Sequence, residues 1–298
     1  MKHIKIKTTL LLVLLLNISA FAKTHVVVAY PYLGKIVQAI GGDDVKVKVL
    51  ASAKFDPHFV IPKPSLIPAI AKADLLVANG AGLEIGWLPP LIRSANNPKI
   101  QVGSPAFVDV SRVIRLMDVP KSISRAHGDI HPEGNPHFAT DPQNILPIAK
   151  LITKKLSKID SDHAQSYAKN LQKFTTTWRT YLKGFDAKMR SCKGLKVIQY
   201  HALYNYLLKR YGIKYVANIE PLPGISPSSK HTVALIQKMK KEHISTILQD
   251  PYHEKKIAKF IAAKTGAKVV VLPHDVSAVS GTASLKDFYN TIAKRLCP

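Results

Sequence analysis

Acidic side chains are scarce in this chain: 298 residues carry 19 Asp and Glu against 43 Lys and Arg, a net charge of +24. A basic excess of that size raises nucleic acid or an anionic membrane surface as partner. The cations, however, are spread along the chain, with no arginine-rich block and no recognisable nucleic-acid motif, so they read as a solvated basic surface and no nucleic-acid partner is expected. Long apolar runs are also missing. The longest, Leu10 to Leu16, falls well short of the roughly 20 residues that span a bilayer. No cysteine follows that run, which argues against lipid attachment at a new N-terminal cysteine. Cysteine is limited to Cys192 and Cys297.

What is present begins with a leader. Residues 1–22, MKHIKIKTTLLLVLLLNISAFA, have a basic start, the short apolar run and a small-x-small end at Ala20-Phe21-Ala22. This is the layout of a secretory signal peptide, with cleavage expected after Ala22 and export of a soluble, non-lipidated protein to a periplasm-like space. In an oxidising compartment an even pair of cysteines predicts one disulfide, between Cys192 and Cys297.

Past the leader, HVVVAYPYL reads as a buried strand, IVQAIGG as a helix end, VKVKVL as an alternating strand, PSLIPAIAKA as a helix and DLLVANG as another strand. After Cys192 the alternation restarts: GLKVIQYH, KYVANIE, STILQD and AKVVVLPHD are strands, separated by helical stretches. Between the two series, residues 143 to 159 form an amphipathic helix. A second helical pattern starts at Asp160, whose carboxylate is expected to cap it, and carries Tyr167, Leu171, Phe174, Trp178, Leu182, Phe185 and Met189 every three or four positions. The prediction is an α/β protein of two lobes, each a parallel-type sheet flanked by helices with its own core, joined by one long rigid helix. Its bounds are 23–142 for the N-terminal metal-binding lobe, 143–190 for the helical region and 191–298 for the C-terminal metal-binding lobe.

The stretch HPEGNPHFATDP, residues 131 to 142, packs His131, Glu133 and His137 beside stiffening prolines with little to build a core. Imidazole and carboxylate donors of this kind suit Zn²⁺ or Mn²⁺. His58 recurs in a similar setting, FDPHF, just after the VKVKVL strand, and loops at strand C-termini are where such sheets place ligands. A solvated loop with incidental histidines is the plain alternative for any one of these stretches.

Taken together, FDPHF with PKPS after it, GNPHFATDP, QYHALYNYLLKRYGI, EPLPGISPS and the VVVLPHD end resemble the zinc/manganese solute-binding proteins of ABC transporters, the group with a rigid helix between two lobes. The resemblance runs over essentially the whole chain past the leader. It implies extracytoplasmic capture of a divalent metal, Zn²⁺ with Mn²⁺ as alternative, and delivery by a monomer to an inner-membrane ABC permease, without catalysis. It also implies metal ligands at His58, His137, His201 and Asp275, two from each lobe. In the PHD end His274 adjoins Asp275; neighbours leaving a strand point to opposite sides, so one of them should face away. Glu220, in IEPLPGISPS, is expected to position a loop near the cleft or bond backbone amides. The segment with His127, Asp129, His131 and Glu133 could act as an auxiliary capture loop or be a plain loop. His163, His231, His243 and His253 are expected at the surface or at helix ends.

Two other functions fit a secreted metal site: a metallohydrolase and a metal-dependent adhesin. A catalytic zinc keeps one position open for water, whereas Asp275 would fill the fourth, and no His-Glu-x-x-His occurs. The missing lipid anchor weakens the adhesin. Imidazole ligation predicts metal release below about pH 6.5, and a single connecting helix predicts little closure of the lobes.

Overall fold

The computed structural model describes residues 23–122 and 131–297; the leader and His127 and Asp129 lie outside the described residues. Strands β1 (Thr24–Val28), β2 (Val45–Val49), β3 (Leu75–Ala78) and β4 (Phe107–Asp109) form a parallel sheet in the order β2-β1-β3-β4. Strands β5 (Lys196–Gln199), β6 (Lys214–Asn218), β7 (Thr246–Gln249) and β8 (Lys268–Val271) form a second parallel sheet in the order β6-β5-β7-β8. The two sheets repeat one topology without repeating residues. Central β1 hides Val26, Val27 and Val28 from solvent, as a parallel strand covered on both faces must. Edge strand β2 instead alternates, with Val45 buried and Lys46 and Lys48 exposed.

Helices α1 (Pro31–Gly41), α2 (Ile67–Ala71) and α3 (Leu88–Ala95) flank the first sheet, and α6 (Asn205–Arg210), α7 (Ser229–Lys241) and α8 (Lys256–Thr265) the second. Between them run α4 (Ile145–Ile159) and α5 (Ala164–Met189), and α9 (Leu285–Leu296) closes the chain. Prolines shorten what periodicity suggested. Pro31 opens α1 where the pattern read one continued strand, and Pro68 confines α2 to five residues. The short β4 and proline-opened α3 are not among the expected elements, although Leu88, Leu91, Ile92 and Ala95 of α3 recur at helical spacing and form its buried face. Among the described residues no helix is long and apolar enough to cross a membrane.

The 26 residues of α5 extend roughly 39 Å. Near its start Asn170 Nδ2 donates to Ile40 O of α1 at 2.9 Å. At its middle Trp178 packs on Tyr289 of α9 at 5.7 Å, and near its end Asp186 accepts from Tyr211 Oη at 2.6 Å. Of the predicted stripe, Tyr167, Trp178, Leu182, Phe185 and Met189 are buried, with Leu171 and Phe174 partly so. The helix starts later than expected, at Ala164. Asp160 ends α4 instead of capping α5, and its carboxylate collects the hydroxyls of Thr24 (2.6 Å) and Tyr167 (2.5 Å) and Nδ1 of His163 (2.9 Å).

The expectation of a separate core in each lobe is also corrected. One apolar cluster runs from β1 and α1 through α4 and α5 to α6 and α9, leaving only a smaller cluster around Ile198, Leu235, Ile247 and Ile261 on the far side of the second sheet. An interface this apolar resists relative motion of the lobes. Cys192 and Cys297 form the disulfide, with Cα atoms 5.6 Å apart, and fasten α9 to the end of α5.

Candidate metal centre

The site is assembled from loops at the carboxyl ends of both sheets. His58 follows β2. The Asp56-Pro57 turn ahead of it folds back so that Asp56 Oδ1 accepts the His58 backbone N–H at 2.9 Å and its Nδ1 at 2.7 Å, while Tyr30 Oη donates to Pro57 O at 3.0 Å. Burial pushes the Asp56 carboxyl up, but the bonds from His58 outweigh it and hold the group below its usual range. A carboxylate can only accept, so His58 Nδ1 carries the proton and Nε2 presents a lone pair.

His201 sits just past β5 and repeats this device. Its Nδ1 donates to Glu220 Oε2 at 2.6 Å, and Glu220 Oε1 accepts the Gly224 N–H at 2.6 Å. Glu220 therefore orients an imidazole as well as a loop.

His137 is placed by its neighbours. Asn135 Oδ1 accepts its N–H at 2.9 Å, and Asn135 Nδ2 donates at 2.7 Å to Ala202 O, beside His201. Asn79 Nδ2 holds Pro136 O at 3.0 Å. The bend leading in requires Gly134, whose φ is +121° and where a Cβ would meet Met117 O at 2.7 Å.

Four imidazoles converge. His137 Nε2 lies 3.1 Å from His201 Nε2, and His58 Nε2 lies 3.1 Å from His131 Nε2. The ring of His58 is 5.0 Å from that of His137 and 5.3 Å from that of His201. Donor atoms of His58, His131 and His137 all fall within 4.8 Å of one another. Tetrahedral Zn²⁺ with Zn–N near 2.0 Å requires N···N separations of about 3.3 Å, close to what the two pairs provide. His131, His137 and His201 also line an open groove of about 350 Å³ with Tyr215, Leu222 and Pro223.

Asp275 and His274 both contribute, with His137, to the lining of a separate small cavity. Strand β8 ends at Val271, and the alternation of an extended strand no longer applies to its successors. Asp275 Oδ1 accepts the N–H of Tyr32, in the first turn of α1, at 3.0 Å and that of Val276 at 2.6 Å, linking the two lobes. Tyr252 packs edge-on against His274 at 4.9 Å. Glu133 stands exposed outside the cluster.

Of the remaining histidines, His163 precedes α5, His231 lies in the first turn of α7 and His243 follows α7. His253 departs from the helix-end expectation. It occupies the loop after β7, stacks on Tyr200 at 4.3 Å, and lies 6.4 Å, ring to ring, from His201.

Burial dominates the electrostatics. It lowers His131 to about 3, assisted by the charges of His58 and His201, and His137 well below 6.5, assisted by His58, His201 and His131. Burial also lowers His274 to about 4 and raises Glu84 and Asp275 to about 8. His131 and His137 therefore stay neutral, with their lone pairs free of protons, well below pH 6.5. Below about 6.5 the unfolded chain binds protons that these folded histidines refuse, so their contribution to stability there rises with pH. From about pH 4 upward, folded Glu84 and Asp275 retain protons that the unfolded chain has already lost; this opposes the histidine contribution below about 6.5 and makes stability fall as pH rises from there toward 8. The chelator-treated protein should therefore melt lower at pH 8 than at pH 6.5. Glu84→Gln should remove a large share of that drop, and equal melting temperatures at the two pH values would contradict the assignment.

A family described as zinc-uptake complex component A, periplasmic (ZnuA) matches residues 26–296. The high-affinity zinc uptake system protein ZnuA of Bacillus subtilis is 29% identical over 258 residues, covering 84% of this chain and 78% of the relative. The zinc-binding lipoprotein AdcA of Streptococcus pneumoniae is 22% identical over 284 residues, 93% of this chain and 55% of the longer relative. A crystal structure of ZnuA has a TM-score of 0.75 at 24% identity, covering 92% of this chain and 100% of its own. The Mn-bound periplasmic metal binding protein from Candidatus Liberibacter asiaticus has a TM-score of 0.75 at 21% identity, with the same coverages of 92% and 100%. These structural likenesses show the fold.

Proposed function

The chain belongs to the family of periplasmic A components of zinc-uptake complexes, and from that premise we propose that it captures Zn²⁺ outside the cytoplasm and hands it to the permease of an ABC importer. Mn²⁺ is the alternative cargo. The observation that carries the reading is the pair of Nε2···Nε2 approaches at 3.1 Å, one joining the lobes through His137 and His201. Carboxylates hold Nδ1 of His58 and His201, so their lone pairs aim inward, where a divalent cation is a better occupant than a shared proton. This is an arrangement for holding an ion, with capture and not turnover as its task.

His58, His137 and His201 are the proposed ligands, and the fourth position has two claimants. Asp275 is the one the family resemblance implies. His131 is favoured by its stacking on His58 at 5.1 Å. The protonation of the two differs enough to decide between them. Asp275, raised to about 8, is mostly protonated at pH 7, whereas His131, lowered to about 3, is neutral. Zinc binding through Asp275 should release about one proton at pH 7, and binding through His131 almost none. Calorimetric titration in buffers of different ionisation enthalpy reads this number. Release near one proton that disappears in Asp275→Asn assigns the aspartate; no release, with zinc affinity lost in His131→Ala, assigns the histidine. Protein purified without added metal that carries no Zn²⁺, and whose melting is indifferent to added Zn²⁺, would end the zinc reading altogether.

The protein is further proposed to lose residues 1–22 on export and to act as a free monomer without a lipid anchor. The absence of cysteine after the apolar run supports this, and the native mass of the exported protein tests it.

A further inference from the structure

His253 has no part in the ligand set, yet it reaches across the cleft. Its backbone N–H donates to Asp250 Oδ1 at 2.8 Å and its Nδ1 bonds Asp250 Oδ2 at 2.8 Å, while its ring rests on Tyr200 at 4.3 Å and on Tyr252 at 4.6 Å. These contacts settle the shape of the loop after β7 and leave Nε2 aimed outward. It faces Asp56 Oδ2, in the other lobe, at 3.9 Å, with the two side chains 23% and 18% exposed. Asp56 thus divides its carboxylate: Oδ1 orients His58, and Oδ2 meets the second lobe.

The stretch that carries Asp56 and His58 needs such a tie. Between Leu50 and Lys63 it contains no strand or helix, and Phe55, Phe59 and Ile61 stand 66%, 63% and 71% exposed. Apart from its own turns, it is held to the first lobe near His58 by the bond from Tyr30 Oη to Pro57 O at 3.0 Å, by the buried Pro57 and by Val60 packing on the core. A loop with few buried contacts opens locally at little cost.

We propose that His253 is an inter-lobe latch, a positioning residue that holds Asp56, and through Asp56 the imidazole of His58, in place over the metal centre. The statement rests on His58 being a ligand. Zinc release then requires separating Asp56 from His253, so the latch acts on dissociation far more than on association. It also lets two rigidly joined lobes retain an ion without domain closure, because the moving part is one loop.

Two isosteric variants of the full exported chain separate this role from a merely structural one. In His253→Asn the side-chain amide can still donate to Asp250 as Nδ1 does but cannot reach Asp56. In His253→Gln an amide donor extends toward the Nε2 position. Zinc loss to an excess of chromophoric chelator, followed by stopped flow, should accelerate about fivefold in His253→Asn, with association unchanged and metal-free melting unmoved. His253→Gln should restore most of the wild-type rate. Asp56→Asn should also accelerate release, and His253→Asn should add nothing in that background. An unchanged rate in His253→Asn, or effects of the two substitutions that multiply, would overturn the latch. If His253→Asn melts early without metal, Asp56→Asn compared with Asp56→Asn/His253→Gln provides the same coupling. His58→Ala tells the two failures apart. Wild-type zinc affinity in that variant removes the premise, whereas weakened binding there with normal release in His253→Asn removes the latch alone.

Discussion

His137→Ala should lower zinc affinity by more than about 100-fold, above the 10- to 100-fold that loss of an orienting partner costs a metal site. His137 is the hub of the cluster: its ring lies 5.0 Å from His58, 5.1 Å from His201 and 6.3 Å from His131. Its truncation breaks the link between the lobes' donors. Glu220→Gln should cost less, about 10- to 100-fold, since His201 remains but loses the carboxylate that fixes its tautomer. The local fold should survive in both variants. The backbone N–H of residue 137 still has Asn135 Oδ1, and its carbonyl still accepts the Thr140 hydroxyl at 2.9 Å. Competition against a chelator of known affinity gives the numbers. His137→Ala binding zinc within threefold of wild type, or Glu220→Gln costing more than His137→Ala, would contradict the centre described above.

Much of this arrangement is legible in the chain because each element announces itself locally. Val26 to Val28 can only be a buried strand, and the Tyr167-to-Met189 stripe can only be a long packed helix. Asp56-Pro57-His58 and Asn135-Pro136-His137 are short-range turns in which a side chain accepts the histidine's own N–H two residues on. What is not legible depends on distant partners. His131 stacks on His58 across 73 residues, and nothing in HPEG foretells that. His253 resembles a helix-end histidine until β7 and β2 bring their following loops face to face. Asp160 reads as an N-cap because a cap is a local device, yet its partners include Thr24 in the first strand. The expectation of two separate cores failed for the same reason: periodicity shows which face of α4, α5 or α9 is apolar but not that all of them share one interior. Sequence resemblance supplied Asp275, and burial supplied what resemblance could not, a carboxyl group that is protonated at neutral pH in the metal-free protein.

Removing the disulfide, whose Cys192 and Cys297 are themselves only 7% and 3% exposed and belong to the shared core, should produce a large loss of stability. Cys192 and Cys297 are 105 residues apart, and closing a loop of that length restricts the unfolded chain by about 4 to 5 kcal/mol on chain-entropy grounds, with measured losses on removal of about 2–5 kcal/mol. The folded state should change little, because α9 is independently anchored by Phe288, Tyr289, Ile292 and Leu296 in the shared core and by Tyr289 Oη donating to Ala139 O at 2.6 Å. The same bond ties α9 to the segment just after His137, so a loosened C-terminus would be felt at the metal centre only once α9 itself detaches. Cys192→Ser/Cys297→Ser should accordingly unfold at lower denaturant while binding zinc with wild-type affinity under native conditions. Excess zinc, which binds the folded form alone, should recover part of the lost stability. A double variant as stable as wild type would show that the unfolded chain is already compact around these two positions. One that is fully folded but cannot hold zinc would mean that the lobes are kept in register by the disulfide and not by the apolar core.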